Sequence, residues 1–133
     1  MIRLTLPSAP RTKKTSNRTF EVGKRCPSCK RGKWTAVHPS EAWERWRDHL
    51  APLVKAALPT SWKPIDYKVN CAALYYRERD IGDSAGFNTG LADLLEAVGI
   101  VANDRFITQW DGSRLLKDSA RPRVELVLTK VED

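Results

Sequence analysis

The sequence predicts an α+β fold: one mixed β-sheet of about four strands packed against two helices, with an N-terminal basic loop or hairpin. Three observations carry this. Apolar and polar residues alternate over 2–6, 66–76 and 123–131, the period of a half-buried strand. Apolar residues recur at spacings of three and four after Pro39-Ser40 and again over 85–98, the period of a helix with one buried face. The elements follow in the order strand, hairpin, helix, strand, helix, strand, strand, which builds one sheet on two helices. A chain of 133 residues is long enough to bury a real core and reads as a single domain, 1–133.

In the opening strand Ile2, Leu4 and Leu6 face one way and Arg3 and Thr5 the other, and Pro7 and Pro10 end it. Residues 11–33 then hold Arg11, Lys13, Lys14, Arg18, Lys24, Arg25, Lys30, Arg31 and Lys33 against Glu21 alone. That segment carries +8 of a total of +7, so the remainder sums to −1. Thr19–Val22 and Lys33–Val37 could pair as a hairpin with Cys26-Pro-Ser-Cys29 at its tip.

Ser40 is placed to cap the first helix, with Glu41 in its first turn. Trp43, Trp46, Leu50, Leu53 and Val54 make its apolar face, Arg45, Asp48 and Lys55 its polar one, and Pro52 predicts a kink. Tryptophans can stack on bases, but at this helical spacing they read as core. Pro59 and Pro64 bracket a linker. Asp66–Tyr76 is the clearest strand, with Ile65, Tyr67, Val69, Cys71, Ala73 and Tyr75 inward. The second helix, about Ala85–Val98, buries Phe87, Leu91, Leu94, Leu95 and Val98, and Gly99 stops it. Arg105–Trp110 and Arg123–Val131 read as further strands, with Asp111-Gly112 supplying a turn before Ser113–Lys117.

An excess of 23 Lys and Arg over 16 Asp and Glu points to nucleic acid or another polyanion, the alternative being a solvated basic loop that binds nothing. No apolar run approaches the roughly 20 residues that span a bilayer, and the start of the chain is too short and too alternating for a signal peptide. The expected place is the cytoplasm or nucleoid, with no membrane partner. Three cysteines, an odd number, do not suggest a disulfide framework. Cys26 and Cys29 have the spacing of half a zinc knuckle, with His38 a conceivable third ligand. A structural site needs four ligands, so zinc is not expected; a half-site shared across a dimer or a plain tight turn fits better. Cys71 reads as a small core residue.

Against that basic background stand Asp80, Asp83, Asp93 and Asp104. An acidic cluster facing a polyanion makes sense when a divalent cation lies between them, and Mg²⁺ takes one or two carboxylates together with substrate oxygens. Asp80 and Asp83 end the long strand, and Asp104 follows the return from the second helix, so the three could converge. Asp93 lies about 140° around that helix from its buried stripe, at the surface or at a site. Each acid has a plainer reading: Asp83 as a helix cap, Asp93 with Glu96 as a solvated face, Asn103-Asp104 as turn residues.

Taken in order, Leu4-Thr-Leu-Pro-Ser-Ala-Pro10, the Pro39-Ser40 helix start, Tyr75-Tyr-Arg77, Gly82-Asp83, Leu91-Ala-Asp93 through Asn103-Asp104-Arg-Phe-Ile107, and Pro122-Arg-Val-Glu-Leu-Val-Leu128 resemble the RusA-like Holliday junction resolvases of phages and prophages. The resemblance runs over most of the chain; its strength is in the ordered set, not in one motif. It implies a small homodimer, in a bacterial host, that binds four-way DNA junctions and cuts them with Mg²⁺, for which Mn²⁺ can substitute. That family's metal site uses an Asp-x-Asp-Asn motif and a later Asp-Asp pair. Asp83 then takes the first motif acid, Asp93 the helix acid and Asp104 the second of the later pair. The second motif acid falls on Ala85, the first of the later pair on Asn103, and a helix lysine on Thr89. Asp80 is a candidate to replace the missing acid.

The expectation is therefore a Mg²⁺-dependent endonuclease for branched DNA, with Asp80, Asp83 and Asp104 holding metal and positioning water and Asp93 assisting. Lys13, Lys14, Arg18, Arg77 and Arg79 would contact phosphates. The alternatives are a non-catalytic junction- or DNA-binding protein that keeps the fold, and an adaptor stabilised by zinc at Cys26 and Cys29.

Overall fold

The computed structural model describes residues 1–12, 18–22, 34–38 and 40–132, with the backbone alone for 18–22 and 34–38. The strands are β1 (Ile2–Leu6), β2 (Arg18–Val22), β3 (Trp34–His38), β4 (Val69–Arg77), β5 (Ile107–Gln109), β6 (Arg114–Lys117) and β7 (Arg123–Lys130). The helices are α1 (Glu41–Ala57) and α2 (Ser84–Ala97), and a single 3₁₀ turn covers Asp104–Phe106. The fold is α+β, as the patterning predicts: a five-stranded mixed sheet with two helices. β2 and β3 pair antiparallel as the predicted hairpin, with Arg18 opposite His38; its Cys-Pro-Ser-Cys tip lies outside the described residues.

The sheet runs β1-β7-β4-β5, antiparallel except where β5 and β6 pair parallel to β4. Its inward rows follow from the period of two. Ile2, Leu128 and Cys71 stand in register, then Leu4, Leu126 and Ala73, then Leu6, Val124 and Tyr75. These rows meet Trp43, Trp46, Leu50 and Val54 of α1 and Phe87, Leu91, Leu94 and Leu95 of α2 in one core cluster. Each fully buried leucine there contributes about 1.5–3 kcal/mol.

α1 begins where Ser40 Oγ accepts the Trp43 amide at 3.3 Å, and it runs through Pro52 as one element. The tryptophans are core: Trp43 is buried and donates its indole N–H to Gly90 O of α2 at 3.1 Å. Leu53, placed on the apolar face by spacing, is 45% exposed, because it lies at the margin of the stripe centred on Leu50 and Val54. α2 ends in a Schellman turn. Gly99 (φ 80°) donates to Glu96 O at 3.1 Å, Ile100 donates to Leu95 O at 2.9 Å, and the Ile100 and Leu95 side chains are both buried.

The strands depart most from the sequence pattern at β4, β5 and β6. β4 starts at Val69; Ile65 instead forms an isolated parallel bridge to Val101, and Tyr67 is 41% exposed rather than inward. Among the described residues the alternation over 65–68 gains no ladder: Ile65 bridges Val101 alone, and Lys68 O accepts the Val131 amide at 2.9 Å. Arg105–Trp110 is shortened to β5 by the 3₁₀ turn, while 114–117 adds the fifth strand, β6. Both lie on one edge of β4, β5 against its start and β6 against its end. Between them side chains stand in for the ladder. Asn70 exchanges two hydrogen bonds with the Asp111 backbone, at 2.8 and 3.1 Å. Ser113 Oγ donates to Cys71 O at 3.1 Å and accepts the Ala73 amide at 3.0 Å.

Candidate functional site

α2 organises the predicted site, with two of the aspartates at its N-terminus and one against its flank. Asp83 is its N-cap: the carboxylate accepts the Gly86 amide at 2.7 Å, and the carbonyl accepts the Phe87 amide at 3.1 Å. Gly82 before it holds φ 94°, and the Phe87 ring lies where a side chain on Gly82 would be. Asp80 is exposed and pairs with Arg77 at 3.3 Å.

Arg77 is only 14% exposed and is committed to this loop. It also donates to Leu116 O and Gly82 O, both at 3.4 Å, tying 80–82 to the end of the sheet. It therefore braces the turn more than it offers a phosphate contact. Arg79 is exposed; its carbonyl accepts the Ile81 amide at 2.7 Å, and its side chain makes no hydrogen bond or ion pair among the described residues. Both arginines line a cavity of about 660 Å³ together with Arg11, Arg45, Glu41 and Glu78. Of the other predicted DNA contacts, Arg18 lies in β2 with only its backbone described, and Lys13 and Lys14 lie outside the described residues.

Asp104 occupies a second cleft, of about 320 Å³, with Asn88, Thr89 and Ala92 of α2 on one side and Ile107 and Trp110 on the other. It opens the 3₁₀ turn that Asn103 caps by accepting the Arg105 amide at 3.0 Å. Its own amide donates to Glu96 Oε1 at 3.2 Å, while its exposed carboxylate takes no bond among the described residues. Asp93, half-buried, lies one helical turn before Glu96. Asp83 is set apart from this cleft: the cap precedes Thr89 by about 9 Å of helix rise. The sequence reading misses two things here. Glu96 is the acid that meets Asp104, a proximity created by the Gly99 turn. Asn88 accepts the Tyr75 hydroxyl at 2.6 Å; the signal is a tyrosine on the inward face of a strand, whose O–H must find a partner.

Burial, together with the nearby Cys71 thiol, pushes Tyr75 up, so its hydroxyl stays a donor. Burial likewise pushes the Cys71 thiol up to about 12, as for a cysteine packed in the core. Cys26 and Cys29 lie outside the described residues. Among the described residues no three His, Cys, Asp or Glu side chains gather as a metal-binding group. Around Asp104 the ligand atoms left to a metal are oxygen: its own carboxylate and the Thr89 hydroxyl, which itself donates to Ala85 O at 2.9 Å, while the Asn88 carbonyl oxygen is taken by the Tyr75 hydroxyl. That chemistry fits Mg²⁺ held by a single carboxylate and substrate oxygens, and does not fit a fully protein-built cage.

Among the described residues no helix is long and apolar enough to cross a membrane. Compared with models of known protein families, the chain matches none, and no curated protein matches it either.

Proposed function

We propose that the chain is a Mg²⁺-dependent endodeoxyribonuclease that cuts four-way junctions and related branched DNA, acting as a homodimer in recombination and repair in the cytoplasm of a bacterial host. The observation that carries this reading is Asp104: an exposed carboxylate without a protein partner among the described residues, at the rim of a cleft, on a chain of net charge +7. The ordered resemblance to RusA-like resolvases adds the substrate class. Asp104 would hold the metal through its single carboxylate and substrate oxygens, with Asp93 assisting, while Asp83 caps α2 apart from that cleft and Asp80 pairs with Arg77. When bound, Mg²⁺, or Mn²⁺ in its place, neutralises charge at the phosphate and acidifies a bound water. Arg79, Arg11 and Arg45 line the cavity before α2 and, with Lys13, Lys14 and Arg18, would contact the DNA backbone, while Arg77 keeps the 80–82 loop in place.

A second reading has its own support. Asp83 is engaged as a helix cap, Asp80 in an ion pair, and Ala85, Thr89 and Asn103 occupy positions where the resemblance expects an acid, a lysine and an acid. A non-catalytic junction-binding protein would keep the basic surface and lose the metal site. Incubation of a synthetic four-way junction with the protein and Mg²⁺ separates the two. The nuclease reading expects symmetric cleavage that Asp104→Asn lowers by about 100-fold or more, the scale of several kcal/mol of lost charge stabilisation. Salt-sensitive binding without cleavage under any divalent ion favours the second reading. Full activity in Asp104→Asn sinks the site assignment.

A further inference from the structure

The Asp104 cleft has a composition that a metal site alone does not explain. Ala92, Ile107 and Trp110 give it an apolar lining, and Trp110 is half-buried at its edge. The polar groups are few and their roles are fixed. The Tyr75 hydroxyl donates to Asn88 Oδ1, so the Asn88 amide is oriented and its Nδ2, a donor of two N–H groups, has no partner among the described residues. Tyr75 is 1% exposed, so this orientation is held from within the core. Among the described residues the one formal charge lining the cleft is the Asp104 carboxylate, which repels a phosphate in the absence of a cation. The occupant that suits an indole, small apolar side chains and one directed N–H pair is a flat, neutral ring with acceptor atoms on its edge.

We propose that this cleft takes an unpaired DNA base, stacked on Trp110 and hydrogen-bonded by Asn88 Nδ2, beside the phosphate that Asp104 addresses. The inference rests on the reading of Asp104 as the metal-holding acid for its placement relative to the chemistry, and on the cleft itself for base binding. An aromatic platform accepts any base because every base has a π-face. The Asn88 donor adds a preference for bases with an exposed acceptor. Exposed Arg105, next in the chain to Asp104, is available to the sugar-phosphate strand outside the cleft. A branch point supplies what such a pocket needs, since bases there lose stacking partners at least cost.

The test uses the full chain in EDTA, so that cleavage does not enter. The probes are a short single strand carrying 2-aminopurine and the same strand with an abasic site in its place. Wild type is expected to bind the base-containing strand about tenfold more tightly than the abasic one and to quench the 2-aminopurine. Trp110→Ala and Asn88→Asp should each remove most of that difference; Asn88→Asp keeps the acceptor for Tyr75 and deletes the donor. Trp110→Phe, which retains a ring, should keep most of it. Equal affinity of wild type for the two strands overturns the proposal, as does an undiminished preference in a folded Trp110→Ala or in Asn88→Asp. Should Trp110→Ala fail to fold, Asn88→Asp decides. Junction cleavage with Mg²⁺ is assayed separately. Base preference without cleavage keeps this proposal and removes the nuclease reading; cleavage without base preference does the reverse.

Discussion

The Asp83 carboxylate closes on the Gly86 amide at 2.7 Å, and a side chain at position 86 would stand as close to the same oxygen. Residue 83 is thus both the acid that the resemblance gives to metal and the residue that starts α2. The two roles separate by substitution. Asp83→Ala should cost about 1 kcal/mol of unfolding free energy, and Asp83→Ser or Asp83→Asn should recover most of it, because any of these oxygens can cap. Urea denaturation checks the stability. If Asp83 also holds metal, Asp83→Asn restores stability without restoring junction cleavage; if it only caps, both return together.

Ser113 replaces one rung of the ladder along β4. Its hydroxyl accepts the amide of Ala73, a fully buried residue, and donates to Cys71 O. Ser113→Ala leaves that amide without an acceptor and should lower stability by about 1–3 kcal/mol. Ser113→Thr keeps the hydroxyl and should cost less. Chemical denaturation of the two variants side by side makes the comparison.

Alkaline pH should unfold the protein through Cys71 and Tyr75. Burial raises both, and both are neutral when folded. In the unfolded chain the thiol ionises near 9.0, in the folded chain near 12, so its stabilisation is full below pH 9 and declines between these values. The decline is about 1.4 kcal/mol per pH unit for each such group. Cys71→Ala should start less stable and fall less steeply above pH 9 in denaturation curves taken across that range.

The acid limb has a separate source in Asp118. The Arg123 Nη1 bond at 2.8 Å, then the Arg121 and Ala120 amides, hold its carboxyl below the usual carboxylate range. A lowered folded value stabilises above the ordinary carboxylate pKa and is lost as pH falls through it. Asp118→Asn should therefore be less stable at neutral pH and show a shallower loss of stability on acidification. An unchanged acid slope in that variant would assign the limb to other carboxylates.

The fold was legible where period and cap agree. Ser40 with Trp43, Trp46 and Leu50, and Gly99 after Leu95, fix the helices because local signals and core burial coincide there. Tyr67 and Leu53 misled because alternation and spacing report a preference for burial, while a partner strand or helix decides whether there is anything to bury against. The acids were harder still. That Asp83 caps and Asp80 pairs with Arg77 follows from local spacing; that Glu96 and Asn88 are the residues nearest in role to Asp104 follows from how α2 lies against the 3₁₀ turn and β4, which no single window of sequence contains.

The two-part edge on β4 has a consequence for life at high protein concentration. A long, straight outer strand is an invitation to neighbouring chains, which add to it as fibrils begin. Here the outer side is made of β5 and β6, three and four residues long, interrupted by the Asp111-Gly112 turn. A stranger's strand finds no unbroken row of amides and carbonyls to copy, and the sheet stops growing on that side by its own construction.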